Sequence, residues 1–267
     1  MAAQPTRLFP RIRLAHASHR GLPLRTAAPL LAALALLASC TSVHEIRPDP
    51  RNECVILLHG LNRTPASMEK IAASLEDSGY RVANVGYPSR EYPIEKLAPL
   101  AVDKGLSACR SQLDRGTIHL VTHSLGGILV RQYLSAHEIE RLGRVVMLAP
   151  PNQGSHAVDV WRGVPGFDWV TGQATHQLGK GEESVPLKLG PPDFELGIIA
   201  GDRTFNPIIS AVLENPDDGK VTVDDTRLDG MADFRVVPAS HAFIMRKDEV
   251  IRLIKAFLAS GSFGAGD

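Results

Sequence analysis

The sequence predicts an α/β fold, with a doubly wound and mostly parallel sheet that has helices on both faces. Strand-length apolar runs alternate with helical patterns along residues 52–260, and this alternation is typical of a parallel sheet. The apolar runs are nearly continuous, as expected for strands that are buried on both faces. With 267 residues and 44% hydrophobic content, the chain is long enough to form one sizeable domain.

The predicted elements follow one another in a regular order. The strand-like runs are residues 54–58, 81–85, 117–122, 144–148, 195–200 and 235–237. The helical patterns lie near residues 67–78, 94–112, 125–137 and 248–259. The last helix has an apolar face with amphipathic spacing, formed by Val250, Ile251, Ile254, Phe257 and Leu258.

The junction between the third strand and its helix contains a serine, Ser124. The β-branched run over 117–122 ends at His123-Ser124, and the helical pattern begins at once with Leu125. A serine in such a junction lies on a strained turn that exposes its hydroxyl at the carboxyl edge of the sheet. The first N–H groups of the helix can then stabilise an oxyanion. The junction predicts acyl-transfer chemistry with Ser124 as the nucleophile; the alternative is an ordinary strand–turn–helix connection.

The segment T-H-S-L-G-G around Ser124 resembles the nucleophile elbow of the α/β-hydrolase family, usually G-x-S-x-G, with Thr122 in place of the first glycine. The pair His59-Gly60 after the first strand resembles the loop that supplies the family's second oxyanion donor. By that resemblance the donors are the backbone N–H groups of Leu61 and Leu125. We expect His59 to hold this loop and not to act as the base. The resemblance is to small bacterial lipases and esterases, covers residues 52–260, and implies an α/β-hydrolase fold.

A serine nucleophile needs a base, and the base needs a carboxylate that orients it. The family's chain order is serine, acid, histidine, and two histidines lie past residue 170. His241 lies between a short strand and the last helix, where the family places its base. His176 lies in a Gly- and Gln-rich stretch, so we expect a surface or lid residue there.

Three aspartates are candidates for the acid. The stretch Asn215–Val223 resembles the D-G-x-V segment of many bacterial lipases, which points to Asp218. Its neighbour Asp217 remains an alternative, although an aspartate before glycine is common in turns for backbone reasons alone. Asp202, directly after a predicted strand, is the other alternative.

The first 39 residues predict a lipoprotein-type signal peptide. Five arginines and no acid accompany an apolar run from Ala27 to Ala38, which is too short to span a bilayer permanently. The ending L-A-S-C resembles a bacterial lipobox, which implies that Cys40 is lipidated. Because Thr41 is not the aspartate that retains lipoproteins in the inner membrane, the resemblance implies an outer-membrane protein facing the periplasm. Residues 40–51 would form a tether and 261–267 a flexible tail; the alternative is an ordinary signal peptide.

The charge and the cysteine content of the chain bear on its binding partners and on its disulfides. The 29 basic and 29 acidic residues balance, and removal of the five leader arginines leaves a formal charge of −5. No basic stripe suggests nucleic acid. After Cys40, Cys54 and Cys109 remain, and we expect both at the lower edge of the sheet, far from Ser124. In an oxidising compartment an even pair favours a disulfide; two unpaired core thiols are the alternative.

Residues 152–192 show little regular pattern and contain both tryptophans of the chain, Trp161 and Trp169, together with Phe167. A long aromatic segment over the catalytic edge predicts a lid or the wall of an acyl pocket. The alternative is that the tryptophans only anchor the loop to the core.

The leading hypothesis is a serine carboxylic-ester hydrolase that acts on small-molecule or lipid esters, attached to a membrane by its lipid anchor. An acyltransferase or lipid-remodelling deacylase, and an inactive binding protein on this fold, are the alternatives. We expect no cofactor and no metal, because His119 and His123 lie on a strand and its turn and do not share a helical face. No dinucleotide fingerprint and no obligate protein partner is evident.

Overall fold

A six-stranded sheet forms the centre of this computed structural model, which describes residues 52–113, 115–164, 172–204, 213 and 216–264. The strands are β1 (Glu53–Leu58), β2 (Arg81–Val85), β3 (Thr117–His123), β4 (Leu142–Leu148), β5 (Leu196–Gly201) and β6 (Asp233–Val237). Their order is β2-β1-β3-β4-β5-β6, and every neighbouring pair is parallel. The predicted parallel sheet is therefore confirmed.

Eight α-helices lie within the described ranges. They are α1 (Glu69–Asp77), α2 (Ile94–Arg110), α3 (Leu125–Leu134), α4 (His156–Trp161), α5 (Gln173–His176), α6 (Val185–Lys188), α7 (Val223–Thr226) and α8 (Asp248–Ser260). The four longest are the four predicted helices. The short helices α4, α5 and α6 lie in the segment that was expected to be irregular. None of the helices in the described ranges combines the length and apolar content needed to cross a membrane.

Strand β1 explains why helices cover both faces of the sheet. Successive side chains of a strand point to opposite faces, so Cys54, Ile56 and Leu58 enter one apolar core while Val55 and Leu57 enter the other. The first core also contains buried side chains of α2 and α3. The second contains those of α1 and α8. A strand buried on both faces needs a continuous apolar run, which is what the sequence has.

The chain reverses its direction of travel across the sheet between β1 and β3. It moves outward from β1 to β2 and then returns to β3 on the other side of β1. In open α/β sheets, ligands bind outside the carboxyl ends of the strands at such a reversal. The register pairs Leu58 with Thr122, so the loop after β1 begins beside the junction that contains Ser124.

The folded domain extends beyond residue 260, where the sequence analysis ended it. Helix α8 ends at Ser260 and is capped by Gly261, whose φ of +78° is favourable for glycine. The chain then turns back, and Phe263 is buried against Phe257. The backbone N–H of Phe263 also donates to a carboxylate oxygen of Asp233 at 2.7 Å. Residues 261–263 therefore belong to the packed domain and not to a flexible tail.

The two cysteines of the domain meet at the amino edge of the sheet. Cys54, near the start of β1, forms a disulfide with Cys109, near the end of α2, with their Cα atoms 5.8 Å apart. Cys40 and the predicted signal peptide lie outside the described residues.

Candidate active site

Ser124 lies on a strained turn between β3 and α3. Its φ of 53° and ψ of −120° put a residue with a side chain in a region that favours glycine, a strain typical of functional sites. The turn needs small neighbours, because a Cβ atom on Gly126 would lie 2.6 Å from the carbonyl oxygen of Leu58. Gly126 thus allows α3 to approach β1 closely, and Leu125 becomes the first residue of α3.

Three side chains form a continuous hydrogen-bonded row at the carboxyl edge. Ser124 Oγ lies 2.9 Å from Nε2 of His241. The other ring nitrogen of His241, Nδ1, lies 2.8 Å from Oδ2 of Asp218. All three side chains are buried. With Nδ1 donating to the carboxylate, Nε2 is left as the acceptor for the serine proton, which is the arrangement that general-base activation of a serine requires.

The carboxylate of Asp218 is fixed by its own turn. Its Oδ1 accepts the backbone N–H groups of Lys220 at 3.0 Å and Val221 at 2.9 Å, and its carbonyl oxygen accepts the N–H of His241 at 2.9 Å. Asp217 instead accepts the N–H of Gly219 at 2.7 Å, which is a turn-forming role. Asp202 lies 3.7 Å from the guanidinium of Arg203. Of the three candidate acids, the structure places Asp218 beside His241.

The loop after β1 is held against the site by His59. Nδ1 of His59 donates to the carbonyl oxygen of Gly60 at 2.9 Å, and its ring stacks on Tyr87 with 4.2 Å between centroids. The hydroxyl of Tyr87 donates to the carbonyl oxygen of His59. Burial lowers the pKa of His59, so the ring is neutral. Leu61 follows this loop and lines the same cavity as Ser124.

His123, the residue before Ser124, holds the backbone of His241 in a way that was not predicted from the sequence. Its Nε2 donates to the carbonyl oxygen of His241 at 3.0 Å, and the ring is buried. Burial, with a smaller contribution from the charge of His241, holds the pKa of His123 well below its usual range. The neutral ring therefore fixes the backbone of His241 without adding a charge. Its position before the serine was visible in the sequence, but the partner is 118 residues away.

Arg131 is a second unpredicted feature, buried on α3 about two turns after Ser124. Its guanidinium donates to the carbonyl oxygens of Asn152, Pro186, Leu189 and Gly190 at 2.8–3.2 Å, and to Oδ1 of Asn152 at 3.1 Å. Burial lowers its pKa to about 10. A charged donor that bonds several carbonyls fixes the 186–190 segment to α3, the helix that begins directly after Ser124.

Two other histidines that the sequence analysis considered, His176 and His119, lie away from the row formed by Ser124, His241 and Asp218. His176 is in α5, and its carbonyl oxygen accepts a hydrogen bond from Arg162 at 2.6 Å. His119 is near the amino end of β3, where its Nδ1 accepts the N–H of Arg144 at 2.8 Å. Within the described ranges, no group of three or more His, Cys, Asp or Glu side chains is arranged to hold a metal ion.

A mostly apolar cavity of about 360 Å³ opens beside Ser124 and His241. Its walls come from the loop after β1, the Gly219–Val221 turn and the segment over 151–178. The apolar side chains are Leu61, Pro151, Ala157, Val158, Trp161, Leu178 and Val221. The predicted wall residue Trp161 thus lies at the cavity, while Phe167 and Trp169 lie outside the described residues. Movement of this segment as a lid stays a prediction.

No protein-family model matches this chain, and no curated protein matches it in sequence. Solved structures do match it in fold. The mature lipase BlEst2 of Bacillus licheniformis superposes with a TM-score of 0.64 at 18% identity, covering 79% of this chain and 94% of the lipase. The phospholipase PlaB of Legionella pneumophila gives a TM-score of 0.55 at 19% identity, covering 66% of this chain and 45% of that protein.

A thermophilic esterase from Thermogutta terrifontis gives a TM-score of 0.52 at 16% identity, covering 80% of this chain and 92% of the esterase. The superpositions establish the fold, so the predicted α/β-hydrolase fold is confirmed. At sequence identities this low they establish nothing further. The chemistry has to be argued from the site itself.

Proposed function

We propose that this protein is a serine carboxylic-ester hydrolase of the lipase or esterase type. The observation that supports it most directly is the row formed by Ser124, His241 and Asp218, with hydrogen-bond distances of 2.9 and 2.8 Å. A binding protein would need neither the strain at Ser124 nor an imidazole that a buried carboxylate orients towards the serine. The structural neighbours, which are lipases, esterases and a phospholipase, support the same conclusion.

The reaction begins when Ser124 Oγ attacks the carbonyl carbon of the ester while Nε2 of His241 takes the serine proton. Asp218 stabilises the imidazolium that results. The tetrahedral intermediate collapses when the C–O bond to the alcohol breaks and His241 returns the proton to the leaving alcohol. A water molecule, deprotonated by His241, then attacks the acyl-enzyme, which releases the carboxylic acid and restores Ser124.

The negative charge of each tetrahedral intermediate falls on the former carbonyl oxygen. We assign its stabilisation to the backbone N–H groups of Leu61 and Leu125. Leu125 begins α3, where the helix dipole also favours negative charge. The loop that precedes Leu61 lies against the nucleophile, because a Cβ on Gly60 would be 3.2 Å from Cβ of Ser124. Removing one such donor from a hydrolase costs roughly 10²- to 10³-fold in kcat.

The test combines covalent labelling with a series of p-nitrophenyl esters of rising chain length. We expect a fluorophosphonate to label Ser124 alone, and Ser124→Ala to lower kcat by ~10⁴-fold or more. Analysis of the products with an added alcohol acceptor separates hydrolysis, which releases free acid, from acyl transfer, which makes a new ester. Labelling at a residue other than Ser124, or full activity in Ser124→Ala, would refute the proposed function.

We also propose that Cys40 attaches the catalytic domain to a membrane, where lipid esters are present. Acyl chains contribute about 0.8 kcal/mol per buried CH₂, so a lipidated cysteine with several chains anchors a domain stably. We expect Cys40→Ala to leave the membrane fraction and still hydrolyse soluble esters. Mass spectrometry that finds an unmodified mature amino terminus away from Cys40 would contradict this proposal.

A further inference from the structure

Two cations line the cavity beside the nucleophile. Arg63 lies on the loop after β1, and Lys220 lies on the turn that carries Asp218. Neither cation is marked out by its sequence context, because the positions of both relative to Ser124 depend on how these two loops meet. The rest of the cavity is mainly apolar, so two basic side chains in its lining need an explanation.

Neither cation forms an ion pair with an acidic side chain in the described part of the chain, although Asp218 lies near enough to Lys220 to stabilise its charge in part. In those residues, the guanidinium of Arg63 and the ammonium of Lys220 have no hydrogen-bond or ion-pair acceptor. The nearby carboxylate of Asp218 is already engaged, since Oδ1 accepts two backbone N–H groups and Oδ2 faces His241. By contrast, Lys180 on the neighbouring segment pairs with Asp225 at 2.7 Å.

The two cations also act on each other and on the same part of the site. Lys220 is exposed at the mouth of the cavity, and Arg63 is half-buried. The partial loss of solvent around the ammonium of Lys220, and then the charge of Arg63, lower the pKa of Lys220, while Asp218 opposes that shift. Both cations contribute to lowering the pKa of His123. Two like charges at one cavity repel each other, and Asp218 offsets this only in part, so an anion bound between the two cations would relieve the repulsion.

Arg63 lies at a second opening as well. Together with Asn62 it lines both the apolar cavity and an adjoining, more open cavity of about 540 Å³. The second cavity is bordered by Ser89, Arg90 and Glu91 among others. A substrate could therefore place an apolar chain in the first cavity while a polar group passes Arg63 into the second.

We propose that Arg63 and Lys220 form a subsite for a negatively charged group on the alcohol side of the ester, and that the preferred substrate is an acyl ester carrying a phosphate. This proposal rests on the function proposed above and names its substrate class. The apolar cavity takes the acyl chain, the ester carbonyl lies at Ser124, and the phosphate lies between the two cations. A guanidinium binds phosphate through paired N–H groups, and an ammonium binds it as a point charge.

The experiment compares soluble esters with identical short acyl chains. Dihexanoylglycerol is the neutral substrate, and its phosphate monoester, dihexanoyl phosphatidic acid, is the anionic one. A carboxylate-bearing ester of the same chain separates phosphate from other anions. Inorganic phosphate, added as a competitor, separates a substrate group from a site for the free ion. The readout is the ratio of kcat/KM for the anionic ester to that for the neutral ester.

We expect the wild type to prefer the anionic ester, and Arg63→Gln or Lys220→Met to reduce that ratio by roughly 10- to 100-fold, the usual worth of a hydrogen bond to a charged group. Arg63→Lys should restore part of the ratio because it restores the charge. The matched control is Arg252→Gln, on the exposed surface of α8, which should leave both substrates unaffected. The wild-type ratio should also fall as salt screens the charges, a measurement that needs no variant.

Each outcome has a distinct meaning. Equal losses for the neutral and anionic esters in Arg63→Gln would show that Arg63 serves the reaction centre or the fold, and would overturn the proposal. A wild type that hydrolyses neutral esters with no anionic preference would overturn it as well, while the proposed function stands. A protein that hydrolyses no ester and takes no fluorophosphonate label would refute the proposed function itself. Strong inhibition by inorganic phosphate with no anionic preference would identify a site for the free ion and reject the substrate proposal.

Discussion

The two edges of the sheet use polar residues in opposite ways. At the amino edge, Arg144 pairs with Glu195 at 2.9 Å and donates to the carbonyl oxygen of Leu258 at 2.9 Å. The disulfide between Cys54 and Cys109 closes the same edge. At the carboxyl edge, Ser124 is strained and the cations Arg63 and Lys220 face a cavity.

The difference shows that the amino edge stabilises the fold, whereas the carboxyl edge holds the groups suited to chemistry. Loops at the carboxyl ends of parallel strands converge, so they can place groups from distant parts of the chain around one point. Groups kept ready for a substrate are costly before it binds, because their charge and strain are only partly compensated in the free protein. The amino edge, with its paired charges and covalent link, is the region that can supply stability without affecting the reaction.

The largest expected effect is a loss of kcat that should distinguish Asp218 from its neighbour Asp217 at the carboxyl edge. Asp218→Asn should lower kcat by roughly 10³- to 10⁴-fold, because an amide can no longer hold His241 in the tautomer that accepts the serine proton. Asp217→Asn is the matched control. Its amide oxygen can still accept the N–H of Gly219, so we expect activity within a few-fold of wild type. The measurement is kcat with a p-nitrophenyl ester for both variants, with circular dichroism to verify folding. Equal losses would mean that the turn, and not the carboxylate at His241, matters.

The disulfide tests whether the amino edge contributes to stability alone. It closes a loop spanning 55 residues, which the chain-entropy relation values at about 4 kcal/mol at most. We expect the double variant Cys54→Ala/Cys109→Ala to unfold at lower urea concentration, while kcat at 25 °C stays near the wild-type value. The wild-type protein treated with a reductant is the control. A large fall in kcat under native conditions would show that the two edges are coupled.

A pair of glycine substitutions compares the edges directly. In Gly126→Ala the new Cβ would lie 2.6 Å from the carbonyl oxygen of Leu58, so α3 must shift and carry Ser124 with it. Misplacement of a reacting group by about 1 Å can cost ~10²-fold. In Gly143→Ala the Cβ would lie 2.6 Å from the ring of His119, at the amino edge.

We therefore expect Gly126→Ala to lose activity and stability, and Gly143→Ala to lose stability with little change in kcat. Gly163→Ala, where a Cβ meets nothing within 4 Å, is the neutral control. Full activity in Gly126→Ala would contradict the close approach of α3 and β1. The measurements are kcat and the urea midpoint for all three variants.

The smallest expected effect concerns the stability of the protein at acidic pH. Each edge of the sheet contains a buried histidine, His119 at the amino edge and His123 at the carboxyl edge. Burial is the first cause that lowers the pKa of His119 and of His123 below the ordinary 6.5. As the pH falls below 6.5, the unfolded chain takes up these protons first. Stability is therefore complete above pH 6.5 and is lost as the pH drops towards the folded-state pKa. Each such histidine can contribute up to about 1.4 kcal/mol per pH unit in that window.

His119→Asn should reduce this acid sensitivity, because Asn can still accept the N–H of Arg144 and adds no titratable group. The measurement is the free energy of unfolding between pH 7 and pH 5, with wild type and His119→Asn compared at each pH. An unchanged pH slope in His119→Asn would show that His119 does not contribute to it.

Local patterns in the sequence were sufficient to predict much of this protein. A strand buried on both faces must be apolar throughout, so the continuous runs predicted the strands of the parallel sheet, and the amphipathic spacing predicted α8. The elbow at Ser124 was visible because a strand that runs directly into a helix needs small residues at the crossing. The end of the domain was predicted too early, since nothing in residues 261–264 shows that Phe263 packs on Phe257.

The tertiary structure decided what depends on the meeting of distant segments. Three aspartates fitted the acid by sequence, and only the approach of the Asp218 turn to His241 distinguishes them. Other features also join segments that are far apart in the chain. His123 donates a hydrogen bond to the backbone of His241, and Arg131 anchors the 186–190 segment. Arg63 and Lys220 come from different loops and line one cavity. Periodicity and turn chemistry are local, so a sequence determines its elements residue by residue. A site at the carboxyl edge is made by the packing of those elements, which sets distances and charges that no single segment contains.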